Sequence, residues 1–227
     1  MIEESETLVN VTQALSQRRS VRAFLPQAPS ADIVRALIEG AARAASGGNV
    51  QPWRVLALTG EPLAQALQAV AQAEPEPYAN NLSYPPDLWE PYRSRRFANG
   101  EDLYRSLGIP RDNKAARLEQ LAKNAEFFGA PVGLFICVDK RMGLPQWMDL
   151  GIYLQSLMLL AVEHGLGTCA QGFWRRYDSA LAQHLGLPEN YCVGVGVALG
   201  YEDKQAPINT WQASRAPFEE WAELRGF

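Results

Sequence analysis

The stretch SGGNVQPWRVLAL, residues 46–58, closes one kind of structure and opens another. Upstream, Ser30 stands where an N-cap belongs, and Ile33, Leu37 and Ala41 recur at helical spacing, which predicts a helix over 32–45. Ser46-Gly47-Gly48 stops it. The run Trp53 to Leu58 is compact, apolar and rich in strand formers, and 61–73 returns to the helical period. Between helix and strand, two glycines let the backbone approach a flat ligand closely, while Ser46, Asn49 and Gln51 supply donors and acceptors. A plain turn needs the glycines but not the amides. The loop is therefore a candidate site, and alone it is no more than that.

Working outward, residues 7–17 fit a short helix with Leu8, Val11 and Leu15 on one face. Beyond the loop come a helix over 113–128, a buried strand over 131–138 (PVGLFICV) and a long apolar helix over 146–164. A short strand and tight loop over 167–172, a helix over 177–185 and a strand over 191–199 follow. Strands are few and helices dominate, which favours an α+β fold in one domain spanning 1–227 over a doubly wound sheet. Between 74 and 111 the periodicity fails. Prolines, tyrosines, Trp89 and the cations Arg93, Arg95 and Arg96 crowd a segment that reads as a loop-rich, lid-like insertion. After Asp203 the pattern is weak until a short amphipathic stretch over 218–224.

Composition narrows the function. With 47% hydrophobic and 20% charged residues the 227-residue chain has an ordinary globular balance. Its net charge of −4 and the lack of a long basic stretch argue against nucleic acid, and no apolar run reaches membrane-span length. The opening MIEESETLVN lacks the basic region and apolar core of a signal peptide, and Cys137, Cys169 and Cys192 lie far apart in apolar settings. Buried free thiols in the cytoplasm are the expectation. His164 and His184 have no partners at ligand spacing, so no metal site is expected. The run GVGVALG has the wrong spacing for a dinucleotide fingerprint and leads into YEDKQAP, not a helix. Asp149 reads as a first-turn carboxylate of the long helix.

A second constellation is Arg18, Arg19, Ser20 and Arg22. Guanidinium forks match phosphate oxygens two at a time, and a hydroxyl with backbone N–H groups can complete the shell. The same cations could simply complement the C-terminal end of the preceding helix. From these residues alone both readings stay open.

RRSVRAF together with SGGNVQPW resembles the paired N-terminal signature of the FMN-dependent nitroreductase family. DLGIYLQSLMLLAVEHGLGTCAQGFW is similar to that family's central helix and following loop, GVGVALGYED to its last core strand, and SRAP to its C-terminal arginine element. The segment from YPPDLWEPYRSRR to FFGAP resembles the nitrobenzene and nitrobenzoate reductase branch. The resemblance implies a central, mostly antiparallel sheet wrapped by helices, in an intertwined homodimer with FMN at the subunit boundary. It places Arg18, Arg19 and Ser20 on the phosphate and ribityl chain, Arg22 at the pyrimidine edge of the flavin, and Arg215 back at the phosphate. Ser46 and Asn49 would reach the flavin from the neighbouring chain, and Gln171 and Gly172 would line its ring system. Ala213 stands where many members carry a second cation.

The implied activity is transfer of two electrons from NADH or NADPH, through FMN, to a nitroaromatic or quinone-type acceptor, with no catalytic acid or base required. Tyr84, Tyr92 and Arg93 in the insertion are the candidate acceptor contacts, since rings can stack on a planar acceptor and a cation can meet a nitro or carboxylate group. Reductive dehalogenation, flavin breakdown and non-catalytic flavin binding use the same four segments and stay open here.

Overall fold

The computed structural model describes residues 9–76 and 84–227. Its strands are β1 (Arg54–Thr59), β2 (Val132–Asp139), β3 (Gly167–Gln171) and β4 (Tyr191–Gly200), ordered β1-β2-β4-β3 with every pair antiparallel. The helices are α1 (Val11–Gln17), α2 (Ala31–Ala41), α3 (Gly60–Ala71), α4 (Tyr92–Ser106), α5 (Lys114–Ala122), α6 (Leu144–Glu163) and α7 (Asp178–His184). This is the expected α+β arrangement, a sheet with helices against both faces.

All eight residues of β2 are buried, as an unbroken apolar run in the middle of a sheet requires. Its alternation serves two cores. Leu134, Ile136 and Val138 pack with Val34 and Leu37 of α2 and with Tyr153 and Leu157 of α6. Phe135 and Cys137 pack on the other face with Leu63 of α3, Trp174 of the 3₁₀ segment Gly172–Tyr177 and Leu181 of α7. Along β4 the alternation changes phase, because the register to β2 shifts where Val195 and Val193 pair with Ile136 and Cys137. Gly194 is the extra residue of that bulge. Two aromatic contacts brace the sheet. Trp53 stacks on Tyr153 with centroids 4.9 Å apart, and Trp174 lies so close over Gly196 that a Cβ there would sit 2.0 Å from the indole.

Several expected boundaries move. The first helix begins at Val11, where Asn10 and Gln13 cap each other reciprocally, and Thr7 and Leu8 lie outside the described residues. The helix expected over 113–128 ends at Ala122 and gives way to a kinked 3₁₀ segment, Lys123–Gly129. There Phe127 and Phe128 take positive φ (48° and 55°) and turn both rings into the second core, a burial that outweighs helix continuity. The expectation of a loop-rich stretch over 74–111 is corrected more sharply. The 15-residue α4 lies within it, and none of its residues is buried. A helix that buries no face carries no apolar period to read. The stretch 218–224 holds only a 3₁₀ turn, Phe218–Glu220.

Candidate functional site

After α1 the chain runs extended beside β3, with Ser20 bridging Thr168 and the Val21 amide donating to the Thr168 carbonyl at 2.9 Å. Extended backbone sends alternate side chains to opposite sides. Val21 is buried against Gly167, where a Cβ would come within 2.6 Å of it, and Arg19 swings to Glu202, Nε and one terminal nitrogen lying 3.1 and 2.7 Å from the same carboxylate oxygen. Arg18, Ser20 and Arg22 share the other side.

The tail returns to meet them. Asn209, fully buried, accepts from the Arg22 amide and donates to the carbonyls of Ala23 and Asp203. Gln212 donates to the Ser16 carbonyl at 2.8 Å. Between these staples and the arginines lies a pocket of about 130 Å³, lined on one part by Arg18, Arg19, Ser20 and Arg22 and on another by Trp211, Gln212, Ala213 and Arg215, with Asn99 of α4 completing it.

No carboxylate lines this pocket among the described residues. Arg19 carries its own counter-charge in Glu202, but the Arg18 guanidinium has neither a hydrogen bond nor an ion pair there. Burial, and then the charge of Arg215, push its pKa below the ordinary value, yet a guanidinium stays protonated. Arg215 turns one terminal nitrogen onto the carbonyls of Ala213 and Ser214, which neutralise nothing. Two cations held together without an anion form a site whose missing component is negative charge. The donor set fits a phosphomonoester such as that of FMN. Arg22 is steadied by the Ser20 carbonyl at 3.2 Å and by the Phe128 ring, 5.9 Å from its guanidinium carbon. Beneath Ser20 the thiol of Cys169 is buried, which raises its pKa and keeps it a thiol.

The other candidate residues fall elsewhere in the single chain. The loop after α2 holds a 3₁₀ turn, Gly47–Asn49, and its Gly48, Asn49 and the following Gln51 all have positive φ. Ser46 Oγ accepts from the Gln51 amide, and the Gly47 amide donates to the buried Asp149 carboxylate at 3.2–3.3 Å. Asp149 is thus an anchor of this loop and not a first-turn carboxylate, since α6 begins at Leu144. Ser46 and the exposed Asn49 do not line the cationic pocket.

Gln171 is buried, and its side chain is committed: Nε2 donates to the carbonyl and Oδ1 of Asn124, and Oε1 accepts from the Trp174 indole at 3.3 Å. Its free contribution to any ligand is backbone, continued by Gly172 at the start of a 3₁₀ turn. Tyr84, Tyr92 and Arg93 gather around the start of α4, outside the pocket. Arg96 lies 4.2 Å from the centre of the Tyr84 ring, Arg95 5.8 Å from that of Tyr92, and Arg93 Nε donates to Glu90 at 2.9 Å. Asn99 and Trp211 were not legible as site residues, because neither belongs to a motif and only the fold brings them to Arg18.

The nitroreductase family profile matches residues 15–201, from the end of α1 through β4 to Tyr201. The chain belongs to the nitroreductase family. Among this family's proteins, the 4-nitrobenzoate reductase of Pseudomonas putida is 37% identical over 215 residues, 94% of each chain. The nitrobenzene nitroreductase of Ectopseudomonas oleovorans is 33% identical over 218 residues, covering 93% of this chain and 95% of its own. Of solved structures, the FMN- and NADPH-dependent nitroreductase NfnB from Sphigopyxis sp. strain HMH superposes with a TM-score of 0.91 at 42% identity, over 96% of this chain and all of the other. NfnB from Mycobacterium smegmatis, solved in complex with NADPH, gives 0.86 at 29% identity, over 95% of this chain and all of its own. Among the described residues no helix is long and apolar enough to cross a membrane, and no group of three His, Cys, Asp or Glu side chains gathers that could hold a metal.

Proposed function

We propose that this chain is an FMN-dependent NAD(P)H oxidoreductase that reduces nitroaromatic or quinone-type acceptors as a cytoplasmic homodimer. The observation that carries the reading is the uncompensated pair Arg18 and Arg215 beside Ser20, a phosphate site in the place where the family signature begins. When bound, FMN supplies the redox chemistry, accepting a hydride from the nucleotide and passing both electrons to the acceptor. The chain's own work is to bind, orient and tune. Arg18, Ser20 and Arg215 hold the phosphate, with Arg19 as a strut that ties this strand to Glu202. Arg22 sets a fixed cation at the pyrimidine edge, favouring negative charge there. The backbone at Gln171 and Gly172 borders the ring system. No side chain is asked to move a proton.

The second subunit is supported by α6. Its inner face is core, while Leu144, Met148 and Ile152, four residues apart, are 83%, 68% and 44% exposed. An apolar row of this kind on a central helix suits an isologous partner. Docking there would carry the neighbour's Ser46 and Asn49, whose loop is anchored to α6 through Asp149, toward the flavin held by Arg18. The segment 74–111 serves as a lid whose Tyr84, Tyr92 and Arg93 choose the acceptor.

The test is direct. Purified protein should be yellow, release FMN on heating, bleach anaerobically with NADPH or NADH and recover its colour with 4-nitrobenzoate, nitrobenzene or a quinone. Bound FAD, or a flavin that no nucleotide bleaches, would overturn the proposal.

A further inference from the structure

We propose that the indole N–H of Trp211 and the amide of Asn99 are phosphate ligands, so that α4 and the tail complete the anion site from within the same chain. The inference rests on the FMN reading of the pocket. Among the described residues, the indole nitrogen of Trp211 is the only buried side-chain nitrogen or oxygen without a hydrogen-bond partner. Buried donors left unpaired are costly, and folded chains keep few of them. This one belongs to a residue lining the cationic pocket, and its backbone is fixed from both sides. Asn209 is stapled to Ala23 and Asp203, and Gln212 to Ser16.

Asn99 reaches the same pocket from α4. Its amide makes no hydrogen bond to the rest of the described chain. One helical turn earlier, Arg95 pairs with Glu220 of the tail at 2.6 Å, and residues four apart share a helix face. The face of α4 that carries Arg95 and Asn99 is therefore turned to the tail segment carrying Trp211 and Arg215. The chemistry also suits the charge balance. Arg18 and Arg215 already repel one another, and a phosphate offers more acceptor positions than their guanidinium groups fill. Neutral N–H donors satisfy the remainder without adding repulsion. With Ala213 standing where a second cation is common in the resemblance, such donors take over part of its work.

The experiment titrates the full chain with FMN and with riboflavin, which lacks the phosphate, by quenching of flavin fluorescence. Trp211→Phe keeps an aromatic side chain while removing the indole N–H donor. Asn99→Ala changes an exposed residue of a helix that buries nothing, so it tests the idea even if the indole variant folds poorly. Each should weaken FMN roughly three- to tenfold and leave riboflavin within about twofold, and Asn99→Asp should weaken FMN more than tenfold by facing the phosphate with a carboxylate. Equal losses for both flavins, or no loss for FMN, would overturn the inference. Arg18→Ala separates the two proposals. If it abolishes FMN preference while Asn99 and Trp211 variants do nothing, only this inference falls; if it too leaves FMN binding unchanged, the phosphate reading of the pocket falls with it.

Discussion

Two helices of this protein are built on opposite principles. The 20-residue α6 buries Leu150, Tyr153, Leu157 and Ala161 against the sheet and is held by that burial. The 15-residue α4 buries nothing and is held by pairs along its own length and to its neighbours: Glu90 with Arg93, Asp102 with Arg105, Glu101 with Arg117, and Arg95 with the tail. Most of these pairs are exposed, and each is worth little by itself. The difference teaches where rigidity and variability reside. The helix whose inner face is core positions the loop of Ser46 and Asn49, while the helix that could change without emptying a cavity begins with two of the candidate acceptor residues, Tyr92 and Arg93.

The comparison breaks most visibly in stability. Leu157→Ala in α6 should cost about 2–5 kcal/mol, because the sheet and α2 cannot close the cavity. Phe97→Ala in α4, whose ring is half exposed beneath Arg111, should cost under about 1 kcal/mol. Urea melts of both variants decide it; equal losses would mean that α4 is packed like core. The next effect is on assembly. Met148→Glu places an unpaired carboxylate in the exposed row of α6 and should weaken the proposed dimer by roughly tenfold or more in sedimentation, with FMN lost alongside. Tyr92→Glu on α4 should leave the dimer intact, and the reverse outcome would move the subunit boundary to the insertion. The smallest effect is kinetic. Tyr92→Ala or Arg93→Ala should change the preference between 4-nitrobenzoate and neutral nitrobenzene by about fivefold, while bleaching by the nucleotide stays within about twofold. If both half-reactions slow together with FMN still bound, Tyr92 and Arg93 support the whole site and do not select acceptors.

The same contrast explains what could be read from residues alone. The strand PVGLFICV was legible because eight consecutive positions face core on one side or the other. Ser30 was legible as a cap and accepts from the Ile33 amide. α4 was not, since its stabilising pairs leave no apolar rhythm. Arg18 and Arg19 are one residue type side by side, and their different fates depend on Glu202, 183 positions from Arg19. Gln171, which the resemblance places along the ring system, has its amide committed to Asn124 and Trp174, partners that no local spacing shows. Local spacing carried the signatures. Long-range partners decided which members of each signature remain available.

Gly194 has a consequence for tolerance to change. By inserting one residue it makes β4 two half-strands of opposite parity, with Cys192 on the α6 side before it and Val195, Val197 and Leu199 on that side after it. Deleting Gly194 would remove the bulge and leave both halves on their present faces, with Val193 and Val195 adjacent and still opposite Cys137 and Ile136, whereas deleting a residue away from it, such as Val197, would turn part of the strand over. Single-residue deletions are therefore tolerated at the bulge and blocked away from it, even where point substitutions to small residues survive.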